Sequence, residues 1–410
     1  MIEIGKKAKE ASVSLALADT EKKNRALLLA ANTLEQETEY LLRENGEDVR
    51  TASSTLSSAF IDRLTLTPAR IRSMADGLRQ VASLPDPVGR VLLDTTRADG
   101  LRIVKKAVPL GVIGVIFEAR PNVSADSAAL CIKSGNAVIL RGGKEAIRSN
   151  TAAVSILRSA LSEAGLPEDC VQLIQDTTRK SASDLMHLDG YIDVLIPRGG
   201  PGLINAVKKE ATVPVIETGA GTCHTYIAPS ADPDMAVKIV HNAKTSRPSV
   251  CNALECLLVH RDIAGSILPL IEEKLTPEGV IFRADSEAAV ILKKAEPAEE
   301  SDWGKEYDDL ILAVKVVSSL DEAICHIGRF GTHHSDAIIT EVPEEAERFM
   351  NEVDSAAVYW NASTRFTDGG EFGMGAEIGI STQKLHARGP LGLEQLCSEK
   401  YYIYGKGNIR

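Results

Sequence analysis

From residue 111 onward the chain alternates short Val/Ile/Leu runs with helical stretches, and this alternation restricts the fold more than any other feature. The runs at 112–117, 137–140, 171–174, 192–196 and 213–216 predict parallel strands joined by crossover helices, hence a doubly wound sheet. Further runs at 254–259, 310–317, 337–339 and 356–360 predict a second α/β domain, in keeping with a length of 410 residues, more than one core usually spans. Ahead of the alternation, residues 7–42 carry apolar residues at three- and four-residue spacing and read as helical. Thr67 is an N-cap signal with Pro68 at the first helical position, and Pro85-Asp86-Pro87 ends that helix after Leu84. Two β-like runs, Val91–Thr96 and 101–108, flank Asp99-Gly100 as a hairpin would, and residues 400–404 read as one more short strand.

Charge and cysteine usage narrow the function classes. A net charge of -11 argues against nucleic acid as partner, because backbone binding needs a basic face. An anionic substrate remains open, since a few arginines can reverse the sign of one cleft. The start, MIEIGKKAKE, lacks a signal peptide's apolar stretch, and the run 107–117 is interrupted and too short to span a bilayer. No membrane association is expected, and a cytoplasmic location is. Seven scattered cysteines without a CxxC pair form neither a disulfide framework nor a zinc motif, which suits a reducing compartment.

Cys251 stands out among them. It lies in a polar loop that also holds Lys244 and Arg247, just before an apolar run, and nearby positive charge favours the nucleophilic thiolate. The competing reading is a small buried residue opening a strand, which Cys256, inside LECLLV, fits far better. Glu217 ends the run 213–217 and meets Thr218-Gly219-Ala220-Gly221, a strand end where α/β sheets place functional groups, though by itself it is as readily a solvated loop acid. Neither dinucleotide fingerprint GxGxxG nor a phosphate-binding GxxxxGK[ST] is present. Instead two glycine turns follow predicted strands, Arg141-Gly142-Gly143-Lys144 and Arg198-Gly199-Gly200-Pro201-Gly202. Each either brings N–H groups and a cation toward phosphate or is a plain strand-to-helix turn. His333 and His334 point to opposite faces if they lie in a strand, and no metal is expected there.

In order, the segments PLGVIGVIFEARPNVSADSAALCIKSGNAVILRGGKEA, IPRGGPGLI, VIETGAGTCHTYI, TSRPSVCNALE and HIGRFGTHHSDAIIT resemble the aldehyde dehydrogenase superfamily over nearly the whole chain. Within it, the resemblance is closest to the branch that reduces an acyl phosphate of glutamate. It implies an α/β fold of aldehyde dehydrogenase type: two doubly wound domains plus a small β oligomerisation arm. A cofactor-binding domain would cover 1–222, with its hairpin arm near 90–108. A catalytic domain would cover 223–385, and a tail over 386–410 would join the arm. The implied activity is NADPH-dependent reduction of L-glutamyl 5-phosphate to L-glutamate 5-semialdehyde and phosphate, a step of proline biosynthesis.

The resemblance also assigns residues. Cys251 matches the nucleophile, Glu217 the acid that activates water in hydrolytic relatives, Glu306 the nicotinamide-ribose ligand, and Arg141 a lysine that reaches the adenosine ribose. Many NAD-using relatives carry glutamate three positions after that lysine; here Lys144 stands there, and a cation attracts the 2′-phosphate of NADP that a glutamate would repel. Gly199 and Gly200 would approach the cofactor phosphates. The family's side-chain amide at the oxyanion site is replaced by Ala119, leaving Asn122 and the Cys251 N–H as donors. Arg120, Arg247 and Arg365 are candidate substrate ligands, Arg247 for the phosphate and Arg365 for the α-carboxylate, because guanidinium binds both anions bidentately. A hairpin alone is marginal in water, so a homodimer or homotetramer is implied, with a glutamate kinase as a candidate partner. Rival readings are a hydrolytic NAD(P)-dependent aldehyde dehydrogenase and a catalytically dead binding relative.

Overall fold

The computed structural model describes residues 1–54, 56 and 58–410, which form two compact units. Met1–Thr218, Gly373–Gly379 and Leu391–Arg410 make the first; Gly219–Phe372 and Ile380–Pro390 make the second. The chain thus returns to the first unit twice, joined there by Ile378 N–H to the Leu391 carbonyl at 3.0 Å and by Leu391 N–H to the Gly379 carbonyl at 2.7 Å.

The first unit opens with amphipathic helices, as the spacing predicts: Ile2–Ala16, Thr20–Gln36, Thr38–Ala52 and Pro68–Ser83. Thr67 caps the last of these, its hydroxyl accepting from Arg70 N–H at 3.2 Å, so one of the orphan donors of the first turn is satisfied. Four parallel strands follow in the spatial order Val171–Leu173, Ala137–Arg141, Val112–Phe117, Val194–Arg198. All six residues of Val112–Phe117 are buried, because helices cover both faces of such a sheet. The strand expected at 213–216 is reduced to a single parallel bridge between Val215 and Leu195. Pro214 can accept there from Leu195 N–H but has no N–H to donate, which limits the ladder.

The hairpin is present. Val91–Thr96 pairs antiparallel with Arg102–Pro109, the turn passing through Gly100 at a φ of 83°. The tail strand, Cys397–Tyr404, is longer than the sequence suggests and pairs with Arg102–Pro109 along its whole length. Val91–Thr96 is the outer strand and is exposed throughout, including Val91, Leu92 and Leu93.

The second unit is built on seven parallel strands in the order Ala295–Pro297, Ile281–Ala284, Ile311–Val317, Leu254–His260, Cys223–Ile227, Ser335–Ile339, Ala357–Trp360. Side chains alternate across the sheet, so Leu257 and Val259 join one apolar core while Cys256 and Leu258 join the other. Cys223–Ile227 escapes a search for apolar runs because its CHTYI holds His224 and Thr225; both are nonetheless fully buried. The two outermost strands on one side, Ile281–Ala284 and Ala295–Pro297, are too short to announce themselves. Two α/β units and a separate three-stranded antiparallel sheet are what the resemblance implies.

Candidate active site

The residues singled out above divide between the units. Cys251, Arg247, Glu306 and Arg365 belong to the second; Arg120, Asn122, Arg141, Lys144, Gly199, Gly200 and Glu217 belong to the first.

In the second unit, helix Pro233–Thr245 ends just before the thiol loop and strand Leu254–His260 follows it. A tight turn, Ala253 N–H to the Val250 carbonyl at 2.9 Å, presents Cys251 half-buried. Its carbonyl accepts from the Cys223 thiol at 3.2 Å and lies so close to Gly221 that any Cβ there would overlap it. Gly221 in turn donates its N–H to Glu306 Oε1 at 3.0 Å. The glycine is thus the piece that allows Glu306 and the thiol loop to meet.

Asn252 locks the other side. Its amide donates to the carbonyls of Arg365 (3.3 Å) and Thr367 (3.0 Å), while the Thr364 hydroxyl donates to its carbonyl at 2.8 Å. Arg365 returns the contact, donating Nη1 to Asn252 Oδ1 and Nε to Ser246 Oγ at 3.1 Å. Burial and then the charge of Arg247 hold the Arg365 pKa below its usual value, while Asp368 and Cys251 pull it upward. Arg365 therefore stands near the thiol, with Arg247 near Arg365 in turn, and positive charge favours the thiolate.

Beneath lies a buried polar chain that the sequence did not reveal. His334 Nδ1 meets Ser335 Oγ at 2.8 Å, Ser335 Oγ meets Thr367 Oγ1 at 2.6 Å, and Tyr359 OH meets Thr367 Oγ1 at 2.7 Å. Burial lowers the His334 pKa to about 4, so its ring is neutral at pH 7. His333, by contrast, is exposed at a φ of 60° and contacts the Asp354 carbonyl at 2.6 Å. Cys223, Gly221 and His334 were all missed; the glycine-rich run around Gly221 was the signal available. Cys256 is fully buried, with its sulfur 3.8 Å from His326 Nε2.

In the first unit, strands Val112–Phe117 and Val194–Arg198 are neighbours where the strand order reverses, the place at which open α/β sheets bind ligands. Helix Pro201–Glu210 starts there after Gly199-Gly200. A Cβ on Gly199 would come within 2.7 Å of the Glu118 carboxyl carbon, and Gly200 N–H donates to Glu118 Oε2 at 3.2 Å. A carboxylate of the chain itself thus occupies one donor of this glycine turn. Arg141 Nη2 is bound to the carbonyls of Thr177 (2.7 Å) and Thr178 (2.9 Å), yet its Nε and that of Arg198 are buried without a hydrogen-bond partner among the described residues. Lys144 is exposed at the start of the turn Lys144–Ala146. Unsatisfied guanidinium N–H groups, a helix N-terminus and a free-standing lysine on one sheet suit a polyanionic dinucleotide.

Asn122 opens helix Asn122–Lys133 and donates its amide to Asp126 Oδ2 at 2.9 Å. Burial raises the Asp126 pKa to about 6, against the lowering effects of Asn122 and Arg198. Arg120 is exposed in the preceding loop. Glu217 forms an ion pair with Lys208 at 2.5 Å, which ties up the carboxylate that hydrolytic relatives use on water.

Comparison with known proteins places this geometry. The aldehyde dehydrogenase family model matches residues 2–280. A gamma-glutamyl phosphate reductase of Streptococcus suis is 57% identical, over 97% of this chain and 96% of its own. One from Carboxydothermus hydrogenoformans is 57% identical over 100% and 99%. The chain belongs to the gamma-glutamyl phosphate reductase family of aldehyde dehydrogenases. The crystal structure of a gamma-glutamyl phosphate reductase from Thermotoga maritima superposes with a TM-score of 0.97 at 47% identity, covering 100% of this chain and 99% of that one. An acetylating aldehyde dehydrogenase of Geobacillus thermoglucosidasius, 18% identical, shares the fold at a TM-score of 0.72.

Proposed function

We propose that the protein reduces L-glutamyl 5-phosphate to L-glutamate 5-semialdehyde and phosphate, with NADPH as reductant, as a step of proline biosynthesis. The carrying observation is the Cys251 loop, pinned by Gly221 and Asn252 with Arg365 and Arg247 nearby, in a chain 57% identical to named gamma-glutamyl phosphate reductases over 97% of its length.

The Cys251 thiolate attacks the acyl carbon; the C–S bond forms as the C–O bond to phosphate breaks, and phosphate departs. Splitting the reaction through a thioester divides one barrier into two lower ones. A nicotinamide cofactor, when bound, would supply the hydride that takes the thioester to the aldehyde, the C–S bond breaking to return Cys251 as thiolate. Arg141, Lys144, Gly199, Gly200 and Glu306 are the residues to hold that cofactor, and Lys144 is the one that favours its 2′-phosphate. Exposed Arg247 suits the departing phosphate, and Arg120 a second anionic group. Arg365 reaches the α-carboxylate only by sharing a guanidinium already bonded to Asn252 and Ser246, so holding the loop is its first duty. Asn122 and the Cys251 N–H are the donors proposed for the oxyanion. The reaction needs no water, consistent with a Glu217 committed to Lys208.

No helix among the described residues is long and apolar enough to cross a membrane. A cytoplasmic enzyme acting as a homodimer or homotetramer completes the reading, with the exposed Val91–Thr96 edge as the contact and a glutamate kinase as a candidate supplier of the labile substrate.

The deciding assay runs backwards. Purified protein given glutamate semialdehyde and NADP forms NADPH only when phosphate or arsenate is present. Equal turnover without either anion would favour a hydrolytic aldehyde dehydrogenase instead.

A further inference from the structure

The thiol loop is closed by a buried ion pair that none of the steps above uses. Lys244, next to last in helix Pro233–Thr245, donates Nζ to Glu255 Oε2 at 2.7 Å; Glu255 is second in strand Leu254–His260. Their side chains are 0% and 1% exposed. Arg247 and Cys251 lie between them in sequence. A fully buried ion pair is a poor device for stability, since removing two charges from water costs about what their attraction returns, and apolar replacements are often neutral or stabilising. What it does supply is a fixed, directional link between the end of a helix and the head of a strand, so the loop they bracket closes in one way.

Other charges face the pair. Glu306 and Asp308 act on Glu255, and Asp308 and Asp309 act on Lys244. Burial raises the Glu255 pKa and lowers that of Lys244, each effect opposed by the partner. Glu255 Oε1 has no hydrogen-bond partner among the described residues, so Lys244 anchors this carboxylate through Oε2. Glu306 in turn holds the N–H of Gly221, and Gly221 packs on the Cys251 carbonyl. The link therefore stands beside both the nucleophile's loop and the proposed cofactor ligand.

We propose that Lys244 and Glu255 are positioning residues for Cys251, fixing the closure of the thiol loop and thereby where its sulfur and the Arg247 cation are presented. The proposal rests on the functional reading only in taking Cys251 as the nucleophile.

The test measures iodoacetamide modification of the full-length protein from pH 5 to 10, quantified by mass spectrometry on the Cys251 peptide, because Cys325 is also exposed. No substrate enters this measurement, so a wrong assignment of the reaction does not affect it. In the double variant Lys244→Met/Glu255→Met, the expected result is an unchanged or raised Tm with modification at pH 7 slowed about tenfold, in line with the cost of misplacing a reacting group. With the proposed substrates, kcat should fall while the KM for NADPH holds. Glu255→Gln, which can still accept from Lys244, should restore the rate to within about threefold, whereas Glu255→Ala should not. A stable double variant with the parent's modification profile overturns the proposal. So does equal behaviour of Glu255→Gln and Glu255→Ala, which also decides the matter if the double variant fails to fold.

Discussion

At the scale of single residues, the proposed preference for NADPH rests on the charge of Lys144. Lys144 is exposed and has no ion-pair partner among the described residues, so its cation is available to a 2′-phosphate. Lys144→Glu should raise the KM for NADPH at least about tenfold, the effect of roughly 1.4 kcal/mol, while changing that for NADH little. Equal loss for both cofactors would reduce Lys144 to a structural turn residue. Asp126 gives a pH-dependent counterpart. Its folded pKa, raised to about 6, lies above the ordinary aspartate value of 3.8, so between the two the folded state holds a proton that the unfolded state releases. The associated stability is complete below about pH 4 and is lost as pH climbs through 6. Asp126→Asn should therefore gain Tm over the parent above pH 6 and match it near pH 4; a pH-independent difference would mean that the carboxyl is not perturbed. That lysine was visible in the sequence because it sits at a fixed offset from Arg141. The aspartate was not, because its shift arises from what packs around it.

At the scale of elements, the thiol loop is held less by its own sequence than by what abuts it. Gly221, leading into strand Cys223–Ile227, leaves room for the Cys251 carbonyl, and Asn252 ties the loop to the segment around Arg365 and Thr367. Gly221→Ala should displace that carbonyl and lower both Cys251 labelling and turnover by about a hundredfold, at a stability cost of about 1–3 kcal/mol. Thermal unfolding and peptide-resolved labelling together distinguish this from simple unfolding, and an alanine variant with parental labelling would show that the contact can relax. The loop was legible as a polar stretch before an apolar strand, with Arg247 in it; Lys244, which the sequence places among its cations, is instead buried in the preceding helix against Glu255. The loop's supports were not legible: His334, Cys223 and the Arg365 and Thr367 carbonyls that Asn252 binds come from distant parts of the chain, and CHTYI does not read as a buried strand.

For the whole molecule, the exposed hairpin carries the clearest consequence. Val91–Thr96 presents Val91, Leu92 and Leu93 to solvent at the edge of a three-stranded sheet whose third member is the tail strand Cys397–Tyr404. Removing residues 397–410 would strip the pairing from Arg102–Pro109 along its length and turn this central strand into an unpaired edge. For the proposed homo-oligomer, sedimentation velocity should then show dissociation or aggregates; a sedimentation coefficient changed only by the lost mass would place the proposed subunit contact elsewhere. The sequence by itself determined the alternation of strand and helix and the hairpin, and it singled out the polar loop that carries Cys251 and Arg247. Those are set by local periodicity, turn chemistry and charge within a few residues. Only the tertiary structure decided the seven-strand order, the return of 373–379 and 391–410 to the first unit, the pairing of Glu217 with Lys208, and the burial of Lys244 against Glu255. Each of these depends on which distant segments share a low-dielectric interior, and a linear pattern carries no record of that.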